Sequence, residues 1–284
     1  MATPWFHLPH VPAPGSVAHL PAAEARHALG ARRLGAGDAV VLFDGQGCVA
    51  HATLQGGGGR DADVPALVHS VEQAARQWPH VEVAVAPPKG DRWSTMADML
   101  AQLAVARVHP MATAFGVRDA ERVNRARTER IFLEACKQCR CPWLPALGEP
   151  VTPAAFAARV VAAGGVAVLC HPGGVAVQEV ARQWAAREKV GVGEGARAGE
   201  GARAGEGVCA SAGPGAGAGA GATARPVGIL IGPEGGFSDP EVAAMEQAGA
   251  RRVHLGPTLL RVELAAVASV CAFRQAAHHI SERE

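Results

Sequence analysis

Two short apolar runs, Val227–Ile231 and Arg252–Leu255, each stop abruptly at a Gly-Pro pair, and no other feature constrains the chain as much. Runs of this length, rich in Val, Ile and Leu and ended by Gly and Pro, read as buried parallel strands. After the first run, Gly232-Pro233-Glu234-Gly235-Gly236 makes a loop whose glycines allow positive φ and close approach of backbone to a ligand. Ser238 stands three residues before Glu241, the spacing of a capping box, so a helix is expected from there to about Ala248, stopping at Gly249. The second run leads through Gly256-Pro257-Thr258-Leu259-Leu260-Arg261 into an Ala/Val-rich C-terminal helix. Two such loops at the carboxyl ends of neighbouring strands frame a crevice, where open α/β sheets bind ligands.

The two loops, Ile231–Ser238 and Leu255–Glu263, resemble the signature loops of the RsmE family, SPOUT-class methyltransferases acting on N3 of a uridine in small-subunit (16S) ribosomal RNA. The family's second loop usually reads L-G-x-x-[IV]-L-R-x-E-T; Leu255, Gly256, Leu260, Arg261 and Glu263 are kept, while Val262 and Leu264 stand where Thr is common. The resemblance implies an α/β fold with a trefoil-knotted parallel-sheet methyltransferase domain, S-adenosylmethionine as cofactor, and a homodimer. The knot follows from the resemblance alone, since connections in proteins almost never thread one another.

The 284 residues suffice for two domains, and 49% hydrophobic content supports a core. A formal net charge of +1 excludes RNA binding by bulk charge, so contacts must come from local patches. No apolar run reaches the roughly 18 residues that span a bilayer, and the opening residues lack the basic and apolar regions of a signal peptide. A cytoplasmic protein with no membrane partner is therefore expected, with an organelle left open. Seven cysteines, odd in number and irregularly spaced, suit reduced thiols. Cys136, Cys139 and Cys141 invite a zinc reading, but no second ligand pair follows and no metal is expected.

Residues 1–72 read as a small β-rich domain. Pro21–Leu34 has a helical look, and Ala39–Phe43 with Cys48–Leu54 makes a hairpin around Asp44-Gly45-Gln46-Gly47. The segment from His27 to Gly47 resembles the family's H-x-x-V-L-R…G-D…F-D-G pattern, which implies a PUA-like RNA-binding barrel with Arg26, Arg32 and Arg33 in contact with RNA. These arginines could equally solvate an exposed helix face.

The resemblance implies that residues 73–284 are the methyltransferase domain. Val81–Ala86 is its first strand, and Lys89-Gly90-Asp91-Arg92, at the mouth of a helix from Trp93 to about Ala104, resembles the family's K-G-[DE]-[RK] segment near RNA. Lys89 and Arg92 are thus further RNA-contact candidates. Where the family carries a Ser/Thr-Glu-Arg triplet, this chain has Ala112-Thr113-Ala114. A long helix is expected from Glu121 to about Cys139, and a helix capped by Thr152 to Ala162. A strand follows over Gly165–Cys170, ending at His171-Pro172 beside the implied cofactor pocket. Residues 190–224, a near-repeat of GEGARA followed by Gly/Ala alternation, offer nothing to pack and read as a disordered insertion.

The resemblance implies a cofactor site of Leu169, His171, Ile231, Gly232, Pro233, Glu234, Gly235, Gly236, Leu255, Gly256, Leu259 and Leu260. Methyl transfer asks the protein chiefly to position donor and acceptor, and uridine N3 must also lose its proton. Arg261 and Glu263 are the catalytic candidates: Arg261 to stabilise charge on uracil O2 or O4, Glu263 to accept the proton or orient Arg261. The two could also merely pin their loop. Walker A, Gly-x-Gly-x-x-Gly and Gly-x-Ser-x-Gly patterns are absent at the required places. The rival expectation, prompted by Val262, Leu264 and Ala112–Ala114, is a ribosomal RNA-binding assembly factor without turnover.

Overall fold

A computed structural model describes residues 3–56, 64–117, 119–195 and 225–281. The chain forms two compact units, one from the residues up to Arg76 together with Leu133–Leu144, the other chiefly from Gln77–Phe132 and the chain after Pro145.

The first unit is a five-stranded sheet of β1 (Trp5–His7), β2 (Val17–Leu20), β3 (Ala39–Phe43), β4 (Cys48–Leu54) and β5 (Val64–Gln73), in the order β1-β3-β4-β5-β2. Only β1 and β3 run parallel; the other pairs are antiparallel. The β3–β4 hairpin has the expected bounds. Asp44 sets its turn by accepting the amide N–H groups of Gln46 at 2.6 Å and Cys48 at 3.0 Å. Phe6, Leu20, Val40, Leu42, Leu54 and Val68 fill the core. The helical expectation for Pro21–Leu34 holds only in part: α1 covers Ala22–Arg26 and passes into a π-helical turn over His27–Ala31.

The division expected at residue 72 is too simple. The segment Pro142–Leu144 belongs with the hairpin, because Gly47 N–H donates to Pro142 O at 3.0 Å and Leu144 N–H to Gly45 O at 2.9 Å. Gly47, at φ 96°, leaves the space that the Trp143 ring occupies. The Trp143 indole N–H reaches Ala74 O at 3.3 Å, and Arg76 lies 4.8 Å over the ring. A tryptophan distant in sequence thus finishes the first unit.

The second unit is a wholly parallel six-stranded sheet: β6 (Val81–Val85), β7 (Arg107–Pro110), β8 (Ala146–Leu147), β9 (Val166–Ala176), β10 (Val227–Ile231) and β11 (Arg251–His254), ordered β11-β9-β10-β6-β7-β8. Every residue of β6 and β10 is buried, as strands of a parallel sheet covered on both faces are, Glu82 of β6 included. Its helices are α2 (Arg92–Gln102), α4 (Pro153–Ala162), α5 (Val177–Gly195), α6 (Asp239–Gln247) and α7 (Val262–Ser281), while α3 (Arg125–Cys139) begins in this unit and ends in the first. Among the described residues no helix is long and apolar enough to cross a membrane.

Four local expectations change. The helix expected from Glu121 begins instead at Arg125, with Asn124 Oδ1 capping Arg127 N–H at 2.9 Å; Ala120–Arg122 is a separate 3-10 turn. Thr152 occupies the N-cap of α4 but its side chain makes no capping bond; Pro153, with its φ already set, starts the helix. The strand expected to stop at Cys170 continues to Ala176, because β11 pairs with Val168–Leu169 and then, after a register break, with Val175–Ala176. Cys170–Gly174 bulge outward between these pairings. Residues 190–195, expected in the insertion, still belong to α5; the remainder, 196–224, lies outside the described residues. The α6 start is as expected: Glu241 Oε2 accepts from both Ser238 N–H and Oγ–H at 2.9 Å.

Candidate functional site

Because all six strands run parallel, the segments leaving the carboxyl ends of β6, β9, β10 and β11 gather on one edge. The β9 bulge and the loop after β11 enclose a cavity of about 170 Å³, lined by Cys170, His171, Pro172, Val253–Leu260 and Ala265. Its walls are mostly apolar, with His171, His254 and Thr258 as the polar residues of the lining. Gly256 turns the chain at φ 131°, and its N–H donates to His254 Nδ1 at 3.2 Å. At the cavity floor Cys170 Sγ lies 3.2 Å from Ser269 Oγ, and burial pushes the Cys170 thiol up to about 11. The floor is therefore uncharged. His171 Nδ1 is 2.8 Å from Pro172 O, and since a carbonyl only accepts, this nitrogen carries a proton in that contact.

Of the expected cofactor residues, His171, Leu255, Gly256, Leu259 and Leu260 come together around this cavity. Leu169 and Ile231 are buried strand residues beneath the edge. Gly232–Gly236 form a separate turn, closed by Gly236 N–H to Pro233 O at 2.9 Å. There a Cβ on Gly232 would come within 3.0 Å of the Phe237 ring, and one on Gly235 within 3.3 Å of Phe115 Cβ. Sequence reasoning missed Cys170, Pro172, Val253, His254 and Ala265. Most adjoin residues it did name, so the loops' flanks carried the signal.

The first loop's contribution is charge. Glu234 Oε1 accepts from Arg92 Nη2 at 2.5 Å, and Arg92 Nη1 lies 4.0 Å from Glu263 Oε2. Partial burial works against ionisation of Glu234, but a backbone N–H, Arg92 and Lys89 outweigh it and hold the carboxyl below its usual range. Glu263 Oε2 is buried and accepts no hydrogen bond from the described residues. Glu263 thus faces Arg92, not Arg261 as one sequence reading had it. Arg261 is exposed at the start of α7, where its carbonyl accepts Ala265 N–H at 2.8 Å, and its guanidinium makes no ion pair or hydrogen bond among the described residues.

The remaining RNA-contact candidates divide between the units. Lys89 is exposed in the loop before α2, and Asp91 of the same loop pairs with Arg127 Nη2 at 3.2 Å. Arg26, Arg32 and Arg33 are exposed on the first unit, with Arg32 Nε 3.4 Å from His27 Nε2 and Arg33 at φ 53°.

The fold and this edge define an α/β domain with a cavity at the carboxyl ends of its parallel strands, and a cluster of one arginine and two glutamates at the same edge. Residues 76–195 and 210–274 match the RNA methyltransferase domain family, and the chain belongs to that family. The chain is 28% identical to the ribosomal RNA small subunit methyltransferase E of Mycobacterium bovis, over 93% of this chain and 88% of that protein. A Synechocystis protein of the same name is 28% identical over 49% of this chain and 45% of its own. These relatives place the chain in the RsmE branch. Among solved structures, a Neisseria gonorrhoeae ribosomal RNA small subunit methyltransferase E bound to S-adenosylmethionine superposes with a TM-score of 0.72 at 19% identity, covering 96% of this chain and 98% of that one. A Legionella pneumophila methyltransferase with bound S-adenosylmethionine gives 0.71 at 23% identity, covering 97% and 98%. At these identities the structural matches speak for the fold.

Proposed function

We propose that this chain transfers a methyl group from S-adenosylmethionine to N3 of a uridine in small-subunit ribosomal RNA. The observation that carries the reading is the loop Leu255–Leu260, which walls the cavity and runs directly into Arg261 and Glu263 at the head of α7. The cavity fits one end of such a cofactor. Apolar walls at Pro172, Val253 and Leu260 suit a flat heterocycle, and the backbone of Gly256–Leu260 supplies polar partners without a charged side chain. When bound, S-adenosylmethionine supplies the electrophilic methyl group. Gly232–Gly236 act one step removed, holding Glu234 against Arg92.

The protein's own work is then on the acceptor. Uridine N3 becomes nucleophilic when its proton leaves, and Glu263 is the carboxylate positioned to take it. Arg92 aims Glu263, and the exposed Arg261 guanidinium offsets the charge that spreads to O2 and O4. Lys89 on this unit, and Arg26, Arg32 and Arg33 on the first, contact phosphate. The first unit is read as PUA-like, the sheet of the second as trefoil-knotted, with β10 entering between β6 and β9. The enzyme is read as a cytoplasmic homodimer; Leu259 and Leu264, 89% and 52% exposed near the start of α7, suit a surface that a second copy covers.

Arg261→Ala and Glu263→Gln test the assignment, with cofactor affinity and methyl transfer measured separately. The reading expects each to bind S-adenosylmethionine like the parent while transfer falls about 100-fold or more. Full transfer in both would remove them from the mechanism.

A further inference from the structure

The close of α3 brings three thiols together. Arg140, at φ 59°, takes the left-handed conformation that ends a helix, and Cys141 N–H bonds back to Cys136 O at 3.0 Å. In such a close, the side chains five apart meet, a contact usually made by two apolar residues. Here they are Cys136 and Cys141, whose Sγ atoms both point at Trp143 O, at 3.7 and 3.3 Å. Cys139, one helical turn after Cys136, sends its Sγ to within 3.8 Å of Cys136 O. The Cys136 thiol thus shares one backbone acceptor with Cys141 and lies on the same helical turn as Cys139. The three differ in access: Cys136 is buried, Cys141 half-buried and Cys139 exposed.

We infer that this cluster is an oxidation site for hydroperoxides, in which Cys139 is the entry thiol and Cys136 closes an intramolecular disulfide. The Cys139 thiolate attacks the peroxide oxygen, giving Cys139 sulfenic acid and releasing the alcohol or water fragment. The Cys136 sulfur then attacks the Cys139 sulfur, the S–O bond breaks, and the hydroxyl leaves as water with the Cys136 proton. Two thiols lose two electrons in all, and the peroxide is reduced by two. The Cα atoms of residues three apart on a helix are about 5 Å apart, within the Cα span of a disulfide, and a small shift at the helix end brings the Cβ atoms into range. The assignment of roles follows access, since Cys139 is exposed and Cys136 buried. The neighbouring thiols and burial push the Cys136 thiol up, and the adjacent Cys136 holds the Cys139 thiol below its usual range. Cys139 thus carries both exposure and thiolate character, as an oxidation-prone cysteine requires.

The sequence makes the test decisive. Lys137 and Arg140 separate the three cysteines, so trypsin places Cys136, Cys139 and Cys141 on different peptides. The full chain is reduced, freed of reductant, treated with equimolar hydrogen peroxide, alkylated and digested without reduction. The expected product links the peptide ending at Lys137 to Gln138–Arg140, and Cys139→Ser, an exposed and mild change, abolishes it. Cys141→Ser leaves the Cys136–Cys139 link in place. A link that lacks Cys139, oxidation of Cys139 only to sulfinic or sulfonic acid, or unchanged disulfide formation in Cys139→Ser would each overturn the inference.

Discussion

Arg92 Nη2 sits 2.5 Å from Glu234 Oε1 while Arg92 Nη1 sits 4.0 Å from Glu263 Oε2, so one guanidinium joins the loop after β10 to the first turn of α7. The sequence placed Arg92 on the RNA-facing side and Glu234 in the cofactor loop. The structure makes them one pair, with the proposed proton acceptor as its third member.

Arg92→Ala therefore should do more than weaken RNA binding. It removes the cation that Glu263 faces, leaving that side chain largely buried, and frees the Glu234 loop. We expect methyl transfer to fall roughly 100-fold through kcat, and the melting temperature to drop by about 2–4 °C per kcal/mol of stability lost. Arg92→Lys keeps the charge but not the fork, and should recover only part of the rate. A change confined to KM for RNA in both variants would return Arg92 to a phosphate-contact role.

Away from the site, Glu82 near the start of β6 is buried against Arg159 Nη2 at 2.6 Å and His109 Nε2 at 3.2 Å. Burial alone would raise its pKa; hydrogen bonds and charge from His109 and Arg159 outweigh that and bring it to about 2, from an ordinary 4.5. Its folded value is depressed, so the stabilisation is fully present above about pH 4.5 and is lost as the pH falls toward 2. The shift corresponds to on the order of 3 kcal/mol. Glu82→Gln should lose about that much at pH 7 and flatten the acid side of the stability curve, with activity per folded molecule unchanged. Urea denaturation at pH 7 and pH 3 measures both.

Gly47 tests the first unit. Any side chain there would overlap the Trp143 ring and would also be held at φ 96°. Gly47→Val should cost about 2 kcal/mol or more, and Trp143 fluorescence should report the displacement of the segment Pro142–Leu144.

How much of this was legible in advance depends on the range of the interactions. Strands Ala39–Phe43, Cys48–Leu54 and Val227–Ile231 carry their own turn chemistry and apolar runs, and the structure has them at the bounds expected. The Ser238–Glu241 cap is equally local. The extension of β9 past His171-Pro172 was not legible, because it exists only through the second pairing with β11. The same holds for Trp143, which joins a hairpin almost a hundred residues upstream. In the site, the loop after β11 was legible as a wall because its Gly-Pro stop and its leucines are contiguous in the sequence. The Arg92–Glu234–Glu263 cluster was not, since its members come from three strand ends and no spacing relates them.

Cys170 should be inert despite lining the cavity. With its thiol at about 11, the thiolate at pH 8 is on the order of one in a thousand, roughly 100-fold below an ordinary cysteine thiol. Iodoacetamide labelling followed by peptide mapping should find Cys170 modified slowly in the native chain and readily in urea. Bound S-adenosylmethionine should slow it further.

The most direct measurement is methyl transfer from labelled S-adenosylmethionine to small ribosomal subunits that lack this modification, with the modified nucleoside identified by mass spectrometry. The account predicts N3-methyluridine at a single position, dependent on Glu263. Bound cofactor with no methyl transferred, or a methyl group on any other atom, would contradict it.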